Sequence, residues 1–98
     1  AQVPKYYSTP EMRLKCNNDA EKFSIVKKAE EYFISIYKCI NVDGVRIVFE
    51  DGWGLVRASN TQPVIVCRFE AKSKDRMNEI KNEILDKLLE FGDVHIDN

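Results

Sequence analysis

Two Asp-Gly pairs divide the middle of the sequence into short apolar segments, and these turns restrict the folds open to the chain. Asp-Gly is typical of tight hairpins because both central positions of such a turn need a positive φ angle. Asp43-Gly44 predicts a two-residue hairpin turn, and Asp51-Gly52 marks the next break. Consecutive strands joined in this way favour an antiparallel sheet. The predicted strands cover residues 40–42, 45–49, 53–58 and 64–71.

Two amphipathic segments flank these strands. The first begins after Asn18, an N-cap residue with Glu21 three positions later, and the second begins after Ser73 and ends before Gly92. Apolar residues recur every three to four positions in both. The predicted stripes are Phe23, Val26, Ala29 or Glu30, Phe33, and Ile36 or Tyr37 in the first helix, and Met77, Ile80, Ile84, Leu88 and Phe91 in the second. With an alternating strand at 11–16, the order strand, helix, four strands, helix predicts an α+β domain with both helices on one face of an antiparallel sheet.

The length of 98 residues suits one small domain. Residues 1–10 carry two of the three prolines and no steady period, so they predict an extended linker. The domain itself is expected at 11–92, followed by a polar tail at 93–98 whose His95 has no predicted ligand role.

Composition excludes several classes of function. The 15 Lys and Arg residues balance 16 Asp and Glu residues, which argues against binding to nucleic acids or anionic membranes. There is no apolar run of about 18 residues and no visible signal peptide. Cys16, Cys39 and Cys67 are too widely spaced for a zinc set and predict buried, reduced thiols. A cytoplasmic location, without membrane or nucleic-acid partners, is therefore expected.

One polar segment separates the last two predicted strands. It reads Arg57-Ala58-Ser59-Asn60-Thr61-Gln62-Pro63 and combines a guanidinium with hydroxyl and amide groups. Arginine binds a phosphate edge through two parallel N–H groups, and a tight loop can turn backbone N–H groups toward an anion. Serine, asparagine and threonine are also common in turns that bind nothing. A phosphate-binding loop and a simple turn both remain open on composition alone. No nucleotide-binding glycine motif, nucleophile elbow or His-Glu-x-x-His motif occurs, so we expect no covalent chemistry from this chain by itself.

These residues resemble a known family. Residues 43–46, 51–63 and 68–71, with the Arg-x-Ser-Asn-Thr-x-Pro string at their centre, resemble the C-terminal domain of the α-D-phosphohexomutases. That superfamily includes phosphomannomutase/phosphoglucomutase, phosphoglucosamine mutase and phosphoacetylglucosamine mutase. The resemblance implies the last of four domains, with a fold similar to the TATA-binding protein.

The resemblance also implies an activity. The family interconverts hexose 1- and 6-phosphates through a bisphosphate intermediate, using a phosphoserine in the first domain, Mg²⁺ in the second and a sugar-reading loop in the third. The fourth domain binds the phosphate that is not reacting. Its ligands would be Arg57, Ser59, Asn60 and Thr61, with Arg68 and Gln62 as possible supporting residues. Many relatives carry Glu where this chain has Gln62.

On this interpretation, residues 1–10 join a preceding domain and the isolated chain is inactive. Its partners would be a hexose phosphate and the other domains. It would bind no metal or cofactor itself, whereas Mg²⁺ and a hexose bisphosphate would serve the whole enzyme. Two alternatives stay open: a stand-alone phosphate- or ligand-binding module without catalysis, and a structural domain whose polar turn is inert. Trp53 is expected to pack on the sheet, and Arg46 and Arg68 to form surface or interdomain ion pairs.

Overall fold

A computed structural model describes residues 6–41 and 44–97 of the chain. Within these residues the chain forms a seven-stranded sheet and two helices. The strands are β1 (Tyr7–Ser8), β2 (Met12–Lys15), β3 (Lys38–Ile40), β4 (Val45–Phe49), β5 (Gly52–Ala58), β6 (Val64–Ala71) and β7 (His95–Asp97). The helices are α1 (Asp19–Ile36), between β2 and β3, and α2 (Lys74–Phe91), between β6 and β7.

The sheet is antiparallel throughout, in the order β3-β4-β5-β6-β2-β7, with β1 also paired to β6. The longest strand, β6, carries β2 along its first half and β1 along its second half. Thr9 bridges these two pairings, since its N–H donates to the Phe69 carbonyl at 3.0 Å and its Oγ1 accepts from the Phe69 N–H at 3.2 Å. Because β2 pairs with the first residues of β6, the loop between β5 and β6 lies next to β2.

Both helices cover the same face of the sheet and build one core with it. Alternate residues of the central strands point toward the helices, because successive side chains of a strand face opposite sides. Gly54 allows the closest approach: a Cβ there would lie 2.3 Å from Cδ1 of Ile84 in α2. The fully buried residues on this side of the sheet are Val45, Ile47, Val56, Ile65, Cys67, Phe69 and Ala71. The predicted α+β class and helix placement are confirmed.

The predicted helix starts are also confirmed. Asn18 Oδ1 accepts from the Glu21 N–H at 2.8 Å, and Ser73 Oγ accepts from the Arg76 N–H at 3.1 Å. Each bond satisfies one of the backbone donors that a helix leaves unpaired in its first turn.

The arm and the tail contain strands that the sequence analysis does not predict. Residues 7–8 and 95–97 were expected to be linker and tail, and each pairs with an edge that the other strands leave available. Both segments are short, so their pairing depends on distant partners and not on their own periodicity. The domain boundaries, and the proposed joint between residues 1–10 and a preceding domain, stay predictions.

The hairpin between β3 and β4 forms with a different register from the predicted one. Ile40 pairs with Arg46, whereas a two-residue turn at Asp43-Gly44 would pair Val42 with Val45. Val42 and Asp43 lie outside the described residues. The observed register places Cys39 and Ile47 on the helix side, and a slip of one residue would move Cys39 to the other face.

The buried stripe of α1 is rotated from the predicted one. It consists of Lys22, Ile25, Ala29 and Phe33, while Phe23 is 58% exposed. The predicted stripe began with Phe23 and Val26, and the helix instead buries Lys22 and Ile25. The stripe of α2 agrees with the prediction, with Met77, Ile80, Ile84 and Leu88 buried and Phe91 half-buried.

The three cysteines are free thiols in this fold; Cys16 and Cys67 are buried as predicted, whereas Cys39 is only half-buried. Complete burial raises the pKa of Cys67 to about 12, because the interior disfavours the charged thiolate. Burial is also the main cause of the raised pKa of Cys16 and Cys39. Within the described part of the chain, neither helix has the length and apolar character needed to cross a bilayer.

Candidate functional site

The polar segment forms the loop between β5 and β6, at residues 59–63. The Ser59 N–H donates to the Val64 carbonyl at 2.9 Å, and the Val64 N–H donates to the Gln62 carbonyl at 2.7 Å. The Thr61 N–H points toward Ser59 Oγ at 3.4 Å. These bonds close the loop at the point where the two strands separate. The side chains of residues 60 and 61 extend from this hydrogen-bonded turn.

A cleft of about 310 Å³ opens beside this loop. All four predicted phosphate ligands line it, so the structure brings together the residues that the sequence analysis singled out. Two further charged residues, Glu11 and Arg13, come from the neighbouring strand region. The full lining is Glu11, Arg13, Arg57, Ala58, Ser59, Asn60, Thr61 and Val66.

Two guanidinium groups flank the cleft. Arg57 of β5 and Arg13 of β2 both pair with Val66 of the strand between them. Directly paired residues of an antiparallel sheet share a face, so both arginine side chains rise from the face opposite the helices. Their backbones are two strand spacings apart, roughly 10 Å. This separation leaves room for an anion between them.

The face of the sheet opposite the helices is rich in cations. Registers place Arg13, Lys15, Arg46, Arg57 and Arg68 there. Among the described acidic residues, Glu70 shares this face, Asp97 is the register partner of Arg13, and Glu11 lies at the edge of the face. The formal net charge of −1 therefore hides a local excess of positive charge beside the loop.

The two predicted supporting residues lie elsewhere. The side-chain oxygen of Gln62 accepts a hydrogen bond from Arg13 Nη2, and Gln62 lines a second cleft of about 570 Å³ together with Lys15 and Cys16. Arg68 pairs with Leu55 on β5, is exposed and does not line the first cleft. The structure thus gives Gln62 a contact with the site through Arg13, and it gives Arg68 none.

Lys22 is the residue that the sequence analysis missed most clearly. Its Nζ lies 2.6 Å from the Ser59 carbonyl oxygen, 3.0 Å from the Gln62 carbonyl oxygen and 3.2 Å from Asp19 Oδ1. The residue is 1% exposed. The available signal was its spacing, since Lys22 precedes Ile25 and Ala29 on one helical stripe. Arg13 gave no comparable signal, because alternation along a strand normally leaves such residues in solvent.

Trp53 and His95 lie away from the loop. Trp53 Nε1 donates to Glu70 Oε2 at 3.1 Å, and the Arg46 guanidinium lies 4.8 Å from the ring centroid. This agrees with the expected packing role on the sheet. His95 pairs with Lys15 at the edge strand and is exposed. Nowhere in residues 6–41 and 44–97 do three or more His, Cys, Asp or Glu side chains cluster closely enough to hold a metal ion.

Comparison with known proteins identifies the family. The sequence profile described as "Phosphoglucomutase/phosphomannomutase, C-terminal domain" matches residues 11–87. The chain belongs to this family. The phosphomannomutase/phosphoglucomutase of Pseudomonas syringae pv. tomato is 44% identical over 79 residues, which cover 80% of this chain. The phosphoglucomutase of Neisseria meningitidis serogroup B is 35% identical over 83 residues, or 83% of this chain.

A solved structure supports the same assignment. The crystal structure of a phosphoglucomutase/phosphomannomutase family protein from Burkholderia thailandensis matches with a TM-score of 0.70 and 30% identity over 93% of this chain. The chain spans only 17% and 18% of the two curated relatives and 19% of the crystallised protein. It therefore corresponds to one domain of these longer proteins.

Proposed function

We propose that this phosphohexomutase C-terminal domain binds the non-reacting phosphate of a hexose phosphate, within an enzyme that interconverts hexose 1- and 6-phosphates through a bisphosphate intermediate. The observation that carries the proposal is the convergence of Arg57, Ser59, Asn60 and Thr61 on one cleft. Together they supply a charged fork, two hydroxyls and an amide. A second guanidinium, from Arg13, adds positive charge at the same place.

The chemistry of these groups suits a phosphate monoester. A hydrogen bond to a charged group contributes about 1.5–3 kcal/mol, and arginine offers two in the geometry of a phosphate edge. The hydroxyls of Ser59 and Thr61 rotate to follow the remaining oxygens. The cleft is open to solvent, so part of this energy is lost in ordering the loop and the ligand. We expect roughly millimolar affinity for phosphate from this domain alone.

In the complete enzyme this binding would contribute to catalysis by positioning the substrate. Holding the distant phosphate fixes the sugar, and the reacting end is then aligned with the phosphoryl donor on another domain. A cradle of hydroxyl and amide groups accepts the phosphate of either end of the sugar, which the bisphosphate route requires. Other domains would supply the phosphoserine, the Mg²⁺ site and the sugar-reading loop. The 98-residue chain, which has no counterpart of those elements, is therefore expected to be inactive by itself. A cytoplasmic location remains a prediction.

A titration monitored by ¹⁵N–¹H NMR tests the binding proposal directly. Adding inorganic phosphate or glucose 1-phosphate to the 98-residue chain is expected to shift the amide signals of residues 58–62. Amides of β3, at the edge of the sheet away from β2, serve as an internal control, and sodium chloride at matched ionic strength controls for screening. No response of residues 58–62 at high millimolar ligand would contradict the proposal. Conversion of glucose 1-phosphate by the isolated chain would contradict its expected inactivity.

A further inference from the structure

The buried ammonium of Lys22 lies directly beneath the phosphate-binding loop. It uses its three donors on Ser59 O, Gln62 O and Asp19 Oδ1, at 2.6, 3.0 and 3.2 Å. Removing a charged group from water is unfavourable unless it is paired and hydrogen-bonded, and here every donor has an acceptor. Two of those acceptors are main-chain carbonyls at either end of the loop. Lys22 thus contacts the loop backbone and not its side chains.

The direction of one carbonyl fixes the direction of the next amide. In a trans peptide the C=O of one residue and the N–H of the following residue point in opposite directions across a rigid plane. All peptide bonds between described residues are trans. Because the Ser59 carbonyl points down to Lys22, the Asn60 N–H points up, away from α1. No described residue provides an acceptor for that N–H.

The second carbonyl that Lys22 binds, that of Gln62, is not followed by a backbone N–H. The Gln62 carbonyl precedes Pro63, which has no backbone N–H to redirect. That carbonyl also accepts from the Val64 N–H at 2.7 Å, so it anchors the exit of the loop to both α1 and β6. The loop is therefore clamped at both ends by one ammonium. Asn60 and Thr61, two of the proposed phosphate ligands, lie between the clamped points, and Ser59 is itself one of those points.

We infer that Lys22 is a positioning residue of the phosphate-binding loop, whose ammonium binds the Ser59 and Gln62 carbonyls and so presents the Asn60 N–H to the ligand. This inference rests on the proposed function of the loop. Lys22 itself touches no ligand, because it is buried below the backbone. Its substitution is expected to change the loop and its anion affinity, beyond any effect on global stability.

The test compares Lys22→Met with Lys27→Met in the 98-residue chain. Methionine keeps the apolar stem of Lys22 and removes the ammonium, and Lys27 is an exposed lysine of the same helix. In spectra without ligand, Lys22→Met is expected to shift the amide signals of residues 59–62, whereas Lys27→Met leaves them unchanged. In a titration with inorganic phosphate, Lys22→Met is expected to bind about tenfold more weakly, and Lys27→Met as the unmodified chain does.

A second measurement on the unmodified chain does not depend on the variant folding. The Lys22 ammonium is expected to give a slowly exchanging ¹⁵N signal with through-hydrogen-bond couplings to the carbonyl carbons of Ser59 and Gln62. If those couplings are absent, or if Lys22→Met folds and binds phosphate with unchanged affinity, the inference is overturned.

The experiment separates this inference from the proposed function. If the amide signals of the unmodified chain do not respond to phosphate, the proposed function is contradicted before any variant is made. The ligand-free spectra then decide the role of Lys22: shifted signals at residues 59–62 in Lys22→Met support control of the loop, and unchanged signals overturn it.

Discussion

The guanidinium of Arg13 in β2 donates to the side-chain carbonyl of Gln62 in the loop, across 49 residues of sequence. Arg13 lines both of the clefts beside the loop, and Gln62 lines the second. The charge of the side chain at position 62 therefore contributes to the local net charge around the Arg13 guanidinium. A neutral amide at position 62 holds the guanidinium without cancelling its charge.

Gln62→Glu is therefore expected to weaken phosphate binding. A carboxylate beside Arg13 would form an exposed ion pair and offset part of the positive field, which corresponds to about a two- to fivefold loss of affinity. Phosphate titration by NMR measures the effect. Gln62→Met is the control, because it removes the hydrogen bond without adding charge and is expected to bind at least as well as the unmodified chain. Equal affinity in Gln62→Glu would show that Arg13 contributes nothing to the site.

Arg57→Ala is expected to lower kcat/KM of the longer enzyme about 30- to 150-fold, equivalent to ~2–3 kcal/mol. The substitution removes the group proposed to bind two phosphate oxygens. Arg68→Ala is a matched control, since Arg68 lies on the same cationic face but outside the cleft, and its effect is expected to stay within about twofold. Steady-state kinetics with a hexose 1-phosphate measures both variants. Comparable losses in the two would indicate a general effect of surface charge and would remove Arg57 from the site.

The features predicted from the sequence are those whose interactions are local. Asn18 and Ser73 cap helices through bonds to residues three positions later, so the sequence window contains both partners. The candidate ligands of the loop likewise occur within a few consecutive positions. A pattern read along the chain is sufficient for features of this kind.

The features that were missed depend on partners far away in the sequence. Two of the three acceptors of Lys22 lie 37 and 40 residues beyond it, and the acceptor of Arg13 lies 49 residues beyond it. Tyr7 pairs with Ala71, and this pairing has no signature in a two-residue strand. The rotation of the α1 stripe has the same origin, because a lysine is buried only where other segments supply acceptors.

The ion pair between Asp51 and Arg76 predicts a dependence of stability on pH. Arg76 Nε lies 2.9 and 3.1 Å from the two carboxylate oxygens, and this hydrogen bonding lowers the pKa of Asp51 below its ordinary value. A carboxyl group whose pKa is lower in the folded state stabilises the fold above its unfolded-state pKa. That contribution is lost as the pH falls through the lowered folded-state pKa.

Asp51→Asn is therefore expected to reduce the free energy of unfolding at pH 7 and to approach the unmodified chain as the pH falls through the lowered folded-state pKa of Asp51. Urea unfolding at a series of pH values measures the difference. Asp86→Asn, at an exposed position of α2, is expected to show no such convergence. A constant gap between Asp51→Asn and the unmodified chain at all pH values would mean that the carboxylate charge is not the source of the stabilisation.

Gly54→Ala is expected to destabilise the domain by overpacking the contact between β5 and α2. The added Cβ would lie 2.3 Å from Ile84 Cδ1 and 3.2 Å from Phe69 Cδ1, so the helix must move or Ile84 must change its rotamer. Forced insertion of this kind costs about 1–3 kcal/mol. Ile84→Val removes the clashing methyl group and by itself costs about 0.5–1.5 kcal/mol.

The double variant Gly54→Ala/Ile84→Val separates steric overlap from other effects of the alanine. Because the valine has no Cδ1, the two losses are expected to be less than additive, and the double variant is expected to be more stable than Gly54→Ala alone. Urea unfolding of the unmodified chain, both single variants and the double variant closes the cycle. Additive losses would contradict the close approach of α2 to Gly54, on which the placement of the second helix over the sheet depends.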